Sequence, residues 1–213
     1  MLNLNLLAIA EAPNKNVSWI LLAFIVVLNI LIVAALSREQ TDGKRSVFCL
    51  CSAVLMFAWG INQIIATRGV YFGFYKFINI LEIILVFGIG FIMIIRNGSL
   101  LSLACLGWLF IIIIKFIFET VNYVRFGFPF KAYLNVILVY LSFALVCLYP
   151  ILKQMGLSGI VRKIWHIPGW LYLLRYIVLF FIGNANIVPL TVLTVGIETM
   201  ALLLLGRQLN ELE

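Results

Sequence analysis

The chain has 213 residues, of which 65% are apolar and 11% charged, with a mean hydropathy of +1.17. A soluble domain is about 45–50% apolar and about 25% charged, so this chain lacks the polar surface to coat a water-soluble globule. A cytosolic enzyme, a nucleic-acid-binding domain and a disordered tail are thereby excluded. Its apolar runs reach about 20 residues without alternation, whereas the strands of a transmembrane barrel alternate over about 10. The expected fold class is all-α: a polytopic transmembrane helical bundle of about seven spans, with residues 1–213 forming a single integral membrane domain.

Residues 1–10 are apolar but have no basic stretch ahead of them, which makes a poor signal peptide. Residues 1–16 read instead as an external segment at the interface. The first span covers about residues 17–36, with Asn29 as its main polar residue. A charged loop over residues 37–45 leads to the second span, about 47–66. The third, about 74–95, stops at Arg96-Asn97-Gly98, and the fourth covers about 100–118. Phe126-Gly127-Phe128-Pro129-Phe130 breaks the chain before the fifth, about 132–152. A basic connector follows, with Lys153, Arg162, Lys163 and His166. The sixth span, about 169–182, is short. Gly183-Asn184-Ala185-Asn186 and Pro189 separate it from the seventh, about 188–206. If these last two form a broken pair, the count is six. Residues 207–213 extend the last helix as a short cytoplasmic tail, with Leu209 and Leu212 on one face.

The net charge of +7 comes from 15 Lys and Arg against 8 Asp and Glu. In a membrane protein such an excess gathers in cytoplasmic loops and sets orientation. One side holds Arg38, Lys44, Arg45, Arg96, Lys153, Arg162, Lys163 and Arg207; the other holds Lys15, Arg68, Lys76, Arg125 and Lys131. The first set marks the cytoplasmic face, with the amino terminus outside and the carboxyl terminus inside. The expected location is a bacterial inner membrane. Asn16 and Asn97 open Asn-x-Ser sequons, but Asn16 hugs the membrane and Asn97 falls inside, so both are expected to stay unmodified.

The cysteines, Cys49, Cys51, Cys105 and Cys147, all lie in apolar runs and read as small apolar filler. His166 is the single histidine, which excludes a bis-His haem site within one chain and leaves a zinc site little to rest on. No cofactor or metal is implied. The expected partners are the lipid bilayer and a second copy or another membrane subunit, with no nucleic acid.

Ionisable residues inside a span point to function by default. Five qualify: Glu82, Lys115, Glu119, Arg175 and Glu198. At about 1.5 Å per residue, Glu82 lies about 12 Å from the outer end of its span and Lys115 roughly 5–9 Å from the outer end of its own. These two meet in the outer half. Glu119 lies one turn from Lys115 and competes for it. Arg175 and Glu198 lie about 9 and about 12 Å from the inner end of consecutive antiparallel spans, which makes an Arg175–Glu198 pair easy. Asn79 shares a helical face with Glu82, and with Asn62 and Gln63 that face can line a polar cavity. Asn29, Asn135, Asn184 and Asn186 suit interhelical hydrogen bonding. Trp59, Tyr71, Tyr75 and Trp108 divide between an interfacial belt and packing. Gly88 and Gly90 permit close helix approach, and Pro150, Pro168 and Pro189 mark kinks or boundaries.

No nucleophile elbow, paired aspartates, histidine cluster or metal motif occurs. Leu148-Tyr149-Pro150 looks like part of the membrane 3-hydroxyacyl-CoA dehydratase family, but the position of that family's acid is Gly156, which removes the chemistry. Spans one to three and five to seven can be overlaid, with span four as a linker. The stretch from Met56 to Asn62 is loosely echoed from Leu179 to Asn184. Glu82 and Glu198 fall in matching spans, which end at Arg96 and Arg207. This three-plus-one-plus-three plan is similar to the PQ-loop superfamily, which includes sugar and vitamin facilitators and a retrieval-signal receptor. The resemblance covers the layout of the whole chain. No Pro-Gln pair stands in spans one or five, and Tyr149-Pro150 is found in the fifth, so no functional residue carries over. The expected function is a small-solute transporter or solute-binding membrane protein with a mid-membrane polar site. Glu82, Asn79, Asn62 and Gln63 form one side of that site, and Arg175 with Glu198 the other. The alternative is a non-catalytic sensor or complex subunit acting through its cytoplasmic face.

Overall fold

A computed structural model describes residues 15–37, 42–67, 73–127, 130–182 and 189–211. Eight helices account for their regular structure: α1 (Lys15–Leu36), α2 (Asp42–Thr67), α3 (Gly73–Ile95), α4 (Gly98–Phe126), α5 (Phe130–Gln154), α6 (Ser158–Ile164), α7 (Ile167–Ile182) and α8 (Pro189–Glu211). In hydrocarbon each backbone N–H and C=O must bond within its own segment, and a helix does this. Six of the eight are long and apolar enough to cross a membrane. The exceptions are α6 and α7; the latter has 16 residues, about 24 Å of helix against about 30 Å of hydrocarbon.

The helix ends follow local chemistry. Arg96 takes the left-handed conformation, φ 59°, and turns the chain out of α3. Asn97 then caps α4, its side-chain oxygen accepting from the Leu100 N–H at 3.0 Å. Gly127 closes α4 at φ 63°, its N–H bonded to the Tyr123 carbonyl. The helix runs eight residues past the end of the predicted span at residue 118, because polarity marks the edge of the membrane and not the end of the helix. Its final turns pack on α5, where the Tyr123 and Tyr133 rings stack at 4.4 Å and the Thr120 and Tyr133 hydroxyls lie 3.2 Å apart. Pro189 opens α8 at the position where a missing N–H costs nothing.

Helices α2, α3, α4 and α5 follow one another as packed neighbours, and α5 continues onto α7. Across this series lies α8, which packs against α1, α2, α4, α5, α6 and α7. Its span is 72% buried, against 22–44% for the other five. The least apolar of the six spans is thus the innermost, as expected when lipid replaces water outside. By contrast α1 is seated on α8 and has no extended contact with α2 or α3. Spans one to three therefore do not form the three-helix unit that the overlay suggests.

Close approach is set by glycine. A Cβ on Gly60 would fall 2.8 Å from the Phe87 ring, and one on Gly90 2.7 Å from Phe57, so α2 and α3 interlock reciprocally; Gly88 has open space. At Gly206 a Cβ would fall 2.4 Å from the Trp165 backbone oxygen, which fixes α8 against the turn between α6 and α7. Nearby, Lys153 donates to the carbonyls of Leu209 and Asn210 at 3.2 and 3.4 Å, and the Cys49 thiol donates to Gln208 at 3.2 Å. Arg207 pairs with Glu211 at 2.6 Å. The start of α2 and the ends of α5 and α8 therefore meet at one end of the bundle. Gln208 and Leu209 are buried there.

Candidate functional site

The buried face of α3 reads Ile78, Asn79, Glu82, Val86, Ile89, Gly90, Met93, the three-and-four spacing of one helical face. The buried face of α4 carries Leu101, Cys105, Trp108, Ile112 and Lys115. Trp108 and Lys115 thus stand two turns apart on the same face, and both reach Glu82. Lys115 Nζ lies 2.5 Å from Glu82 Oε2, and Trp108 Nε1 donates to Glu82 Oε1 at 3.1 Å. The sequence reading anticipated the ion pair and missed the indole. Glu119 does not take Lys115; the Tyr75 hydroxyl donates to it at 2.6 Å. The Tyr75 ring also lies 5.7 Å beneath the Lys115 ammonium.

On the other side, the Tyr172 hydroxyl of α7 donates to Glu198 Oε2, and Asn62 Nδ2 of α2 donates to Oε1 at 3.3 Å. Arg175 lies one turn from Tyr172 and stacks on its ring, 4.3 Å from the centroid. Among the described residues the ion pairs within 4.0 Å are Lys115–Glu82 and Arg207–Glu211, so Arg175 and Glu198 do not form the direct pair that the sequence suggests. Tyr172 therefore stands between the cation and the acid. Arg175 Nε is buried with no hydrogen-bond partner.

The two groups form one centre. Trp108 meets Trp59 at 5.3 Å, Phe143 stacks on Trp108 at 5.5 Å, and Phe143 stacks on Tyr172 at 5.4 Å. An aromatic bridge thus runs from the ligand of Glu82 to the ligand of Glu198. Trp59 and Trp108 are core residues, 1% and 0% exposed, and do not belong to an interfacial belt. Tyr172 and Phe143 were missed because aromatic residues are common in every span. Helical spacing offered a signal, since Tyr172 lies three residues before Arg175.

Asn79 is buried one turn from Glu82. Gln63 is half-buried and engaged in a contact. Asn29 is wholly buried on α1, with both amide atoms unpartnered. Asn184, Asn186 and Tyr71 lie outside the described residues. Cys105 and Cys147 are buried in the core, Cys51 is exposed, and all four cysteines are free. Among the described residues no three His, Cys, Asp or Glu side chains gather as a metal ion would require.

Among the described residues, cavities open at the end of the bundle where α5 and α8 finish. One of 370 Å³ is lined by Gly98, Ser99, Ser102, Pro150, Lys153 and Leu209, among others. The other, of 230 Å³, lies between the start of α2 and the end of α3, beside Ser46, Cys49, Ile94 and Arg96. Neither is lined by Glu82 or Glu198. Comparison with protein-family models, with curated proteins and with solved structures finds no match for the chain.

Proposed function

We propose that this polytopic membrane protein binds a small solute at the polar centre formed by Tyr172, Arg175, Glu198 and Asn62, and carries it across the bilayer. Glu82 and Lys115, with Asn79 one turn from Glu82, form the fixed wall of that centre, and Gln63 lies next to Asn62 on α2. Arg175 carries the reading. A guanidinium serving only to hold helices together should be paired directly, as the Lys115 ammonium is, because an unpaired buried charge destabilises the fold. Arg175 is 8% exposed, rests on a ring and keeps a donor unused. Ionisable residues at such depth mark substrate and ion paths. The basic loops support an orientation with the amino terminus outside and the carboxyl terminus inside, in an inner membrane.

The test is uptake by the full chain reconstituted in liposomes, offered sugars, amino acids, carboxylates, amines and inorganic ions. We expect uptake of one class, abolished in Arg175→Gln while the variant stays folded. Absence of both uptake and binding for every class would sink the proposal.

A sensor or subunit role is the second reading, and α8 supports it. Glu198 and the seated turns at Gln208 and Leu209 lie on one continuous helix, so movement at the centre is carried to the basic end. Binding without flux would favour it.

A further inference from the structure

We infer that the solute is a monocarboxylate anion taken together with one proton, the carboxylate resting on Arg175 and the proton on Glu198. The inference rests on the solute-binding reading and names its chemical class.

The first support is the kind of atom left unsatisfied. Arg175 Nε and Trp59 Nε1 are both buried without a partner. Both are donors that cannot accept, so a group that completes Arg175 must offer acceptors. Trp59 stands three residues from Asn62, which places it on the face of α2 that reaches Glu198. Its ring meets Phe143 at 5.1 Å, and Phe143 leads to Tyr172 and Arg175. A carboxylate offers about four acceptor sites and suits the planar guanidinium fork.

Charge balance supplies the second support. The four buried charges of the centre, Glu82, Lys115, Arg175 and Glu198, sum to zero. An added anion leaves one negative charge in a medium where isolated charge is strongly disfavoured. A proton from water, forming an O–H bond on a carboxylate, restores neutrality with no redox change. Glu82 is badly placed to take it, since an ammonium and an indole N–H hold it and neither accepts. The ligands of Glu198 are reversible: the Tyr172 oxygen accepts as well as donates, and the Asn62 amide carries an oxygen beside its nitrogen. Both stay bonded when Glu198 becomes the donor. The groups bonded to Glu198 are Tyr172 from α7 and Asn62 from α2, and the other buried charges of the centre are Arg175 on α7, Glu82 on α3 and Lys115 on α4. On α1 the single titratable residue is Lys15, at the helix start, and Lys115 of α4 is taken by Glu82. The helices packed against α8 also carry Cys49 and Cys51 on α2, Cys105 and Glu119 on α4, Tyr140, Cys147, Tyr149 and Lys153 on α5, and the exposed Arg162 and Lys163 on α6.

The experiment uses the full chain in lipid nanodiscs, with acetate, lactate and benzoate as probes and phosphate, choline and glucose as contrasts. Binding is read by tryptophan fluorescence and melting temperature between pH 5.5 and 8, alongside the infrared band of a protonated carboxyl group. We expect one or more carboxylates to bind about tenfold tighter per pH unit of acidification, the linkage of one proton per anion. The infrared band should rise on binding and be absent in Glu198→Gln. That variant mimics the protonated acid and should bind with little dependence on pH. Arg175→Gln, melting like the wild type, should lose binding at least a hundredfold. Four results overturn the inference: pH-independent carboxylate binding, a band already present without the probe, carboxylate binding kept in Arg175→Gln, or preference for choline, glucose or phosphate. The last of these, if lost in Arg175→Gln, leaves the solute-binding reading standing. No response to any probe, as when a fixed water serves Arg175, removes both.

Discussion

Glu82 with Lys115 and Glu198 with Arg175 look alike in sequence: an acid and a base on adjacent spans, each buried in hydrocarbon. Their structures differ. The first pair is closed at 2.5 Å and backed by an indole. The second is split by a phenol that bonds the acid and stacks beneath the base. A closed pair satisfies both partners and has little left to offer a ligand. A split pair leaves donor capacity within the membrane. The difference lies in what the charges still lack, not in how many there are.

The largest effect should come from opening the closed pair. Lys115→Met leaves Glu82 buried and charged, and should cost about 3–5 kcal/mol. Adding Glu82→Gln should recover most of that loss, since removing both charges of a buried pair is often neutral. Unfolding in lipid-detergent micelles across the double-mutant cycle measures both steps. Arg175→Met, which breaks no ion pair, should cost clearly less. Equal losses for Lys115→Met and Arg175→Met would erase the distinction between the two pairs.

The next effect comes from moving the helix that carries Glu198. In Gly206→Ala the new methyl group meets the Trp165 carbonyl, and a backbone atom cannot rotate away. We expect a loss of about 1–3 kcal/mol, typical of an overpacked core, together with weaker solute binding. The Glu82–Lys115 pair lies on α3 and α4, so its double-mutant coupling should stay unchanged. Smaller still is Tyr172→Phe. It removes one hydrogen bond to Glu198 and should cost about 1 kcal/mol, yet it should alter solute affinity more than Trp108→Phe, which removes one from Glu82. Parallel melting and binding titrations of the two variants test that ordering.

Much of the bundle was legible because lipid imposes a simple rule on composition. The apolar runs gave six long helices to within a few residues, except where α2 begins and α4 and α8 end as polar helix; the seventh run became α7, too short to count among the six. The seated end of α8 was hidden because polar Arg207, Gln208 and Asn210 look solvated in a sequence, while in three dimensions Cys49 and Lys153 reach them. Glu82 with Lys115 was readable from depth alone. The phenol between Arg175 and Glu198 was not, because depth places two charges at similar levels without showing what stands between them. Nor could depth show that the two pairs touch through Trp108, Phe143 and Tyr172. That requires knowing that α5 lies between α4 and α7.

The smallest predicted effect isolates the pH response of the centre from that of the remainder of the protein. His166, in the turn between α6 and α7, is partly buried beside the Trp165 ring, and burial lowers its pKa below the ordinary value of about 6.5. The folded protein therefore favours the neutral imidazole. Its contribution to stability is fully present above the unfolded pKa and is lost as pH falls through that value toward the folded one. The wild type should melt slightly lower at pH 5.5 than at pH 7.5, and His166→Gln should remove that difference. Because the sequence holds a single histidine, this substitution removes imidazole titration altogether. A pH response of carboxylate binding that persists in His166→Gln and disappears in Glu198→Gln then belongs to the split pair. One that disappears with the histidine belongs to the turn holding α8, and would make the two acids equivalent after all.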